Sequence, residues 1–136
     1  MEKTDVFSKT GRELLPQNIV EEFQEYRSAL HQRILYCRLS EYTWSEWVIC
    51  LQEKILLEQC LPFALEKLDM NPTAPGIFYK GEVLYDVTQI DRTFWDNHMD
   101  LYNSFKAIID KNLDLLKKET DNGVIREDFL EAYQRF

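Results

Sequence analysis

Apolar residues recur at three- and four-residue steps along most of this chain, and that spacing commits it to helices. Ile19, Val20, Phe23, Tyr26, Leu30 and Ile34 share one face of a helix that opens at Pro16. Proline is accepted in a first turn because no amide donor is needed there. Glu21, Glu22 and Glu25 fall elsewhere on the same helix, in its first turns, where carboxylates suit the helix dipole. A second helix is expected from Thr43, where Thr43-Trp44-Ser45-Glu46 has the spacing of a capping box. Trp47, Val48, Cys50, Leu51 and Ile55 supply its apolar face. Pro62 cannot donate a helical hydrogen bond, so a break near 57–61 is expected, followed by a helix over 61–69. Val83, Leu84, Val87 and Ile90 predict a further helix, and residues 91–97 a short one capped by Asp91. Leu101, Phe105, Ile108, Ile109, Leu113 and Leu116 form the stripe of a longer helix over about 98–119. A last helix is expected over about 126–134.

Two punctuation marks interrupt this pattern. Asn71-Pro72-Thr73-Ala74-Pro75-Gly76 is a loop, since two prolines and a glycine in six residues cannot continue a helix. Ile77 to Gly81 allows at most one short strand or turn near 77–80. The expected fold is therefore all-α, a single compact domain of about five to seven helices over residues 16–136, with residues 1–15 as a loose arm. The length of 136 residues suits one domain.

Charge and cysteine usage narrow the function. The chain carries 24 acidic against 16 basic residues, a net −8. That balance disfavours nucleic acid and anionic membrane surfaces, which need clustered lysine and arginine, and it suits a basic partner or simple solubility. Lys117-Lys118 is the sole basic doublet, near a helix C-terminus. Cys37, Cys50 and Cys60 have apolar neighbours and no CxxC spacing, so they read as reduced core residues of a cytoplasmic protein rather than as a zinc site. The opening residues lack the apolar core of a signal peptide, and nothing approaches the ~20 apolar residues of a membrane span.

No catalytic constellation emerges. His31 and His98 stand alone, and glycine-rich phosphate loops and nucleophile elbows are absent from the sequence. No catalytic residue, cofactor or metal is assigned. Trp47 and Trp95 read as core. The distinctive electrostatic feature is residues 82–100, where Glu82, Asp86, Asp91, Asp96 and Asp100 meet one basic side chain, Arg92. Glu82 and Asp86 are four apart and repel on one helix face, so helix stability does not explain them. Either this is an acidic solvated face with Asp91 as a cap, or it is a patch that engages a basic protein surface.

An ordered series of motifs adds to this reading. It runs Tyr42-Thr43-Trp44-Ser45-Glu46-Trp47, Leu61-Pro62-Phe63-Ala64-Leu65-Glu66-Lys67-Leu68, Asn71-Pro72, Gly76-Ile77-Phe78-Tyr79-Lys80-Gly81-Glu82-Val83-Leu84 and Phe94-Trp95-Asp96-Asn97-His98. The series resembles the bacterial contact-dependent growth inhibition immunity proteins over about residues 35–110. Val83 and Lys80 depart from the family pattern, where leucine and proline are commoner. The first 30 and last 25 residues carry no such signal. The resemblance implies a cytoplasmic, non-enzymatic monomer that forms a 1:1 complex with the C-terminal domain of a cognate toxin delivered by a neighbouring cell. Such toxins are frequently nucleases, whose basic grooves an acidic face can occlude. It also implies that Leu61, Pro62, Leu65, Leu68, Tyr79, Gly81, Leu84, Phe94 and Trp95 are scaffold, with Gly81 at a positive φ or a close approach. Toxin contacts are then expected at Glu82, Asp86, Asp96 and Asp100, with Tyr102 as an aromatic anchor. Glu21, Glu22 and Glu25 form a rival patch. Two other classes stay open: an antitoxin-like or adaptor module for another basic protein, and a small carboxylate-based enzyme.

Overall fold

The computed structural model describes residues 6–77, 79–123 and 129–136. The chain is all-α, with ten α-helices and no sheet among the described residues. We number them α1 (Gly11–Leu14), α2 (Gln17–Glu25), α3 (Ala29–Tyr36), α4 (Trp44–Glu53), α5 (Leu57–Met70), α6 (Glu82–Thr88), α7 (Arg92–Asp96), α8 (Met99–Lys111), α9 (Leu113–Asp121) and α10 (Phe129–Arg135). The chain divides into two compact units, Met1–Leu56 and Leu57–Phe136.

In the first unit α3 packs against α1, α2 and α4. Its core holds Val20, Phe23, Ile34, Leu35, Leu39, Trp47, Cys50 and Leu51. The helix expected from Pro16 to Ile34 is two helices. Tyr26 is extended, Ser28 starts the next helix, and the Gln32 side chain donates to the carbonyl oxygens of Phe23 and Tyr26 at 3.1 and 2.8 Å. The glutamine thus satisfies the Tyr26 carbonyl and gives a second donor to that of Phe23, which also accepts from the Tyr26 amide at 3.2 Å.

Within the segment expected to be a loose arm, residues 10–14 are ordered by a second capping sequence, Thr10-Gly11-Arg12-Glu13. The Thr10 hydroxyl accepts from the Glu13 amide at 3.3 Å, and Glu13 reaches back to the Thr10 amide at 3.5 Å. Gly11 is needed here for close approach. A Cβ at this position would lie 2.0 Å from the Ile34 carbonyl oxygen and 2.8 Å from the Tyr42 hydroxyl. That hydroxyl donates to the same carbonyl.

The anticipated capping box at Thr43 does not form. Thr43 makes no side-chain cap; its hydroxyl donates instead to Glu46, which is fully buried and also receives Arg33. The carboxylate is drawn inward by a cation 13 positions earlier, beyond the reach of a local motif. At the other end of α4, Lys54 takes a left-handed conformation, φ 57°. The amide of Ile55 bonds the Cys50 carbonyl and that of Lys54 the Leu51 carbonyl, the paired bonds of a Schellman cap.

In the second unit α5 packs against α8 and α6, α7 against α8, and α10 against α6. Leu61, Leu68, Val83, Leu84, Trp95, Phe105, Ile109, Leu116 and Phe129 are buried. Pro62 lies inside α5, so the break expected at 57–61 falls earlier, at residues 54–56. The long helix expected over 98–119 is interrupted at Asn112, whose side chain donates to the Ile108 carbonyl at 2.8 Å. Gly81 has φ 81°, as its place in the motif implied. Of the possible strand near 77–80, the described residues 77, 79 and 80 lie in bends and a turn; Phe78 lies outside the described residues. The start of the helix expected at 126 also lies outside them; the described part is α10.

Candidate functional site

The five residues expected to meet a partner all lie in the second unit, but they do not form one exposed set. Glu82, at the start of α6, is 4% exposed. Its Oε1 accepts from the Ile77 amide at 2.6 Å, and a Cβ on Gly76 would fall 2.0 Å from that oxygen. The carboxylate therefore anchors the 71–81 loop from inside, and its removal from the surface set is a correction to the expectation. Asp86, one turn on, is half-buried. Asp96 is exposed but paired with Arg92, at 3.0 Å along one face of α7. Asp100 is exposed in the first turn of α8, where the helix dipole favours it.

Tyr102 is half-buried. Its ring stacks on Phe136 at 4.9 Å and meets Trp95 edge-on at 5.9 Å, and the Arg92 guanidinium lies 4.8 Å above it. The bond to Tyr102, ahead of the pairing with Asp96, pushes the Arg92 pKa further above its ordinary value. Arg92 therefore bridges Asp96 and Tyr102 and offsets the charge of Asp96.

The rival row on α2 is arranged differently. Glu21, Glu22 and Glu25 are all exposed. Glu21 receives the Gln17 amide group at 3.2 Å and Glu22 receives the Tyr26 hydroxyl at 2.9 Å. That bond to Glu22 raises the Tyr26 pKa. Tyr26 and Tyr36 are 38% and 51% exposed, and Gln24 donates to the Tyr36 hydroxyl at 3.3 Å. Arg27 is the nearby exposed cation in sequence. The sequence pointed to this row through the gaps in the apolar stripe; the exposed tyrosines beside it were missed, since Tyr26 was counted in the stripe itself and Tyr36 falls past its end.

The histidines are held by structural contacts. His98 stacks on Phe94 at 4.0 Å and meets the Phe94 carbonyl through Nδ1 at 2.8 Å; His31 packs edge-on against Phe23 at 4.8 Å. No disulfide joins Cys37, Cys50 and Cys60, and burial pushes the Cys60 thiol up to about 12, which disfavours the thiolate a nucleophile needs. Among the described residues no group of three or more His, Cys, Asp or Glu is placed to hold a metal ion, and no helix is long and apolar enough to cross a membrane.

The family model for CDI immunity proteins (CDI, contact-dependent growth inhibition) matches residues 13–105. The match spans well over half of the chain, and the chain belongs to that family. It begins 22 positions before residue 35, so the family pattern includes α2 and α3, which the motif series had left out. No curated protein and no solved structure matches the chain.

Proposed function

We propose that this chain neutralises a cognate nuclease toxin in the cytoplasm, as a 1:1 complex, by laying an acidic face over the toxin's basic groove. Family membership supports toxin neutralisation; the acidic face rests on the exposed row of Glu21, Glu22 and Glu25 flanked by Tyr26 and Tyr36. Carboxylates in solvent steer a basic partner and set register, while exposed tyrosines supply contact area at low entropic cost. The chain acts by binding and needs no cofactor of its own.

A second reading keeps the contact in the second unit, at Asp96, Asp100 and Tyr102 with half-buried Asp86. It is favoured by the Arg92–Tyr102 stack, since desolvated aromatic and arginine side chains dominate many interfaces.

Calorimetric titration of the toxin domain encoded beside this chain separates the two. Glu21→Lys/Glu22→Lys/Glu25→Lys should lose about a hundredfold in affinity, with the wild-type affinity falling steeply as salt rises. Equal binding by that triple variant, with loss instead in Asp96→Lys/Asp100→Lys, would transfer the face to the second unit. Binding indifferent to salt and to both variants would discard the acidic face while keeping the immunity role.

A further inference from the structure

We propose that His31 and Gln32 are positioning residues of the toxin-binding face: with Glu22 they hold Tyr26 in the pose in which it meets the partner, and Tyr26 is the anchor of that face. The inference rests on the reading that the α2 row meets a toxin domain, and it assigns roles there that the carboxylates cannot fill. Tyr26 follows the last turn of α2 in an extended conformation, φ −72° and ψ 137°. A residue just past a helix end ordinarily frays, and its side chain turns in solvent.

Two neighbours in the first turn of α3 prevent that here. Gln32 fixes the backbone, since its side-chain amide donates to the Tyr26 carbonyl at 2.8 Å and to the Phe23 carbonyl at 3.1 Å. His31 fixes the ring, which it meets at 4.5 Å, while its own edge packs on Phe23 at 4.8 Å. The Nδ1 atom of His31 is buried and finds no hydrogen-bond partner among the described residues. A histidine placed for its hydrogen bonds would use that atom; here the ring acts by shape, as a wedge between two aromatic side chains. Glu22 completes the hold by accepting from the Tyr26 hydroxyl at 2.9 Å.

Held at carbonyl, ring and hydroxyl, Tyr26 still leaves 38% of its surface in solvent. A tyrosine ordered before the partner arrives gives its contact area without the entropy that ordering would cost on binding. Tyr36 shows the contrast. It is 51% exposed, and Gln24 on α2 donates to its hydroxyl at 3.3 Å. One bond from an exposed glutamine restrains a ring far less than a wedge and a held backbone do. The two tyrosines therefore differ in kind: Tyr26 is a rigid anchor and Tyr36 an adaptable contact. The carboxylates of α2 draw a basic partner in, and Tyr26 sets how long it stays.

Binding kinetics of the full chain with the toxin domain encoded beside it test this. Tyr26→Ala should raise the dissociation rate about thirtyfold and leave the association rate unchanged, whereas Tyr36→Ala should raise it less than about threefold. Gln32→Ala and His31→Ala should each raise it about fivefold, and neither should add more than about twofold in a chain that already carries Tyr26→Ala. His31→Phe, which keeps the wedge, should bind as wild type does. Effects of Gln32→Ala and His31→Ala that persist undiminished beside Tyr26→Ala overturn the positioning role. Equal binding by Tyr26→Ala overturns the anchor; if Glu21→Lys/Glu22→Lys/Glu25→Lys still loses affinity, the acidic face stands without it. Equal binding by both variants, or failure of the wild-type chain to bind, overturns face and anchor together. A second measurement needs no toxin: the amide order parameter of Tyr26 in the full chain should lie near the rigid value of about 0.85 and fall towards about 0.6 in Gln32→Ala. A Tyr26 that is mobile in the wild-type chain overturns the preordering whatever the toxin does.

Discussion

The two acidic stretches of this chain look alike in sequence and differ in space. On α2, Glu21, Glu22 and Glu25 all stand in solvent. Between residues 82 and 100, Glu82 is spent on the Ile77 amide, Asp86 is half-buried and Asp96 is tied to Arg92. The difference lies in what each stretch has for neighbours. The α2 row projects from a helix whose apolar stripe is complete without it. The 82–100 stretch flanks a proline-bearing loop with open amides, and a carboxylate is the strongest acceptor such amides can find. Acidity counted along a sequence therefore overstates acidity offered to a partner.

The sharpest way to break that comparison is inside the fold. Glu82→Ala should destabilise the chain by about 3 kcal/mol, because it strands the Ile77 amide and empties a buried site. Urea unfolding should register it, whereas Glu21→Gln should stay within about 0.5 kcal/mol by the same measurement. If the two cost the same, the interior and exterior assignments fail.

Next in size is the acid response of Glu46. Burial pushes its pKa up, but hydrogen bonds from Thr43 and Arg33 outweigh that and hold it below 4.5. A carboxyl with a depressed folded pKa contributes stability that is fully present above its unfolded value and is lost as pH falls through the folded one. Wild type should therefore lose urea resistance steeply below about pH 4.5, and Glu46→Gln, less stable at pH 7, should lose less over that interval. Parallel pH profiles for the two chains would show that the pair with Arg33 does not operate. Smallest of all, Asp96→Asn should change stability by less than about 0.5 kcal/mol, since both partners are more than half exposed. A larger loss in a thermal melt would mean that Arg92 depends on Asp96 to hold Tyr102 and Phe136.

Much of the fold was legible because apolar spacing is a local signal. On α4 Trp47, Val48, Cys50 and Leu51, on α6 Val83, Leu84 and Val87, and on α8 Phe105 and Ile109 are buried where the pattern put them, while Leu101 and Ile108 are half-buried; Trp47 and Trp95 are both in core. What was not legible involves residues distant in sequence or conformations that propensity disfavours. Glu46 has the spacing of a capping partner and was claimed by Arg33. The interruptions at residues 26–28 and at Asn112 carry no proline or glycine, so periodicity ran through them. Lys54 and Leu56 are both left-handed, a conformation that costs a side-chain-bearing residue about 1–2 kcal/mol and that sequence rules reserve for glycine. Of the candidate surface, the sequence identified the acids but not their orientation, and Glu82 turned inward for want of any rule about which amides the 71–81 loop would leave open.

The placement of the tryptophans has a practical outcome. Trp95 is the sole tryptophan after residue 56, and it is buried; Trp47 is buried in the first unit, with half-buried Trp44 nearby in sequence. Each half of the chain thus carries its own intrinsic fluorophore. A Trp44→Phe/Trp47→Phe chain would report on Leu57–Phe136 alone, and Trp95→Phe, if it folds, on Met1–Leu56. Emission transitions that coincide would describe a molecule that melts as one cooperative body, and transitions that separate would describe two halves with independent lifetimes.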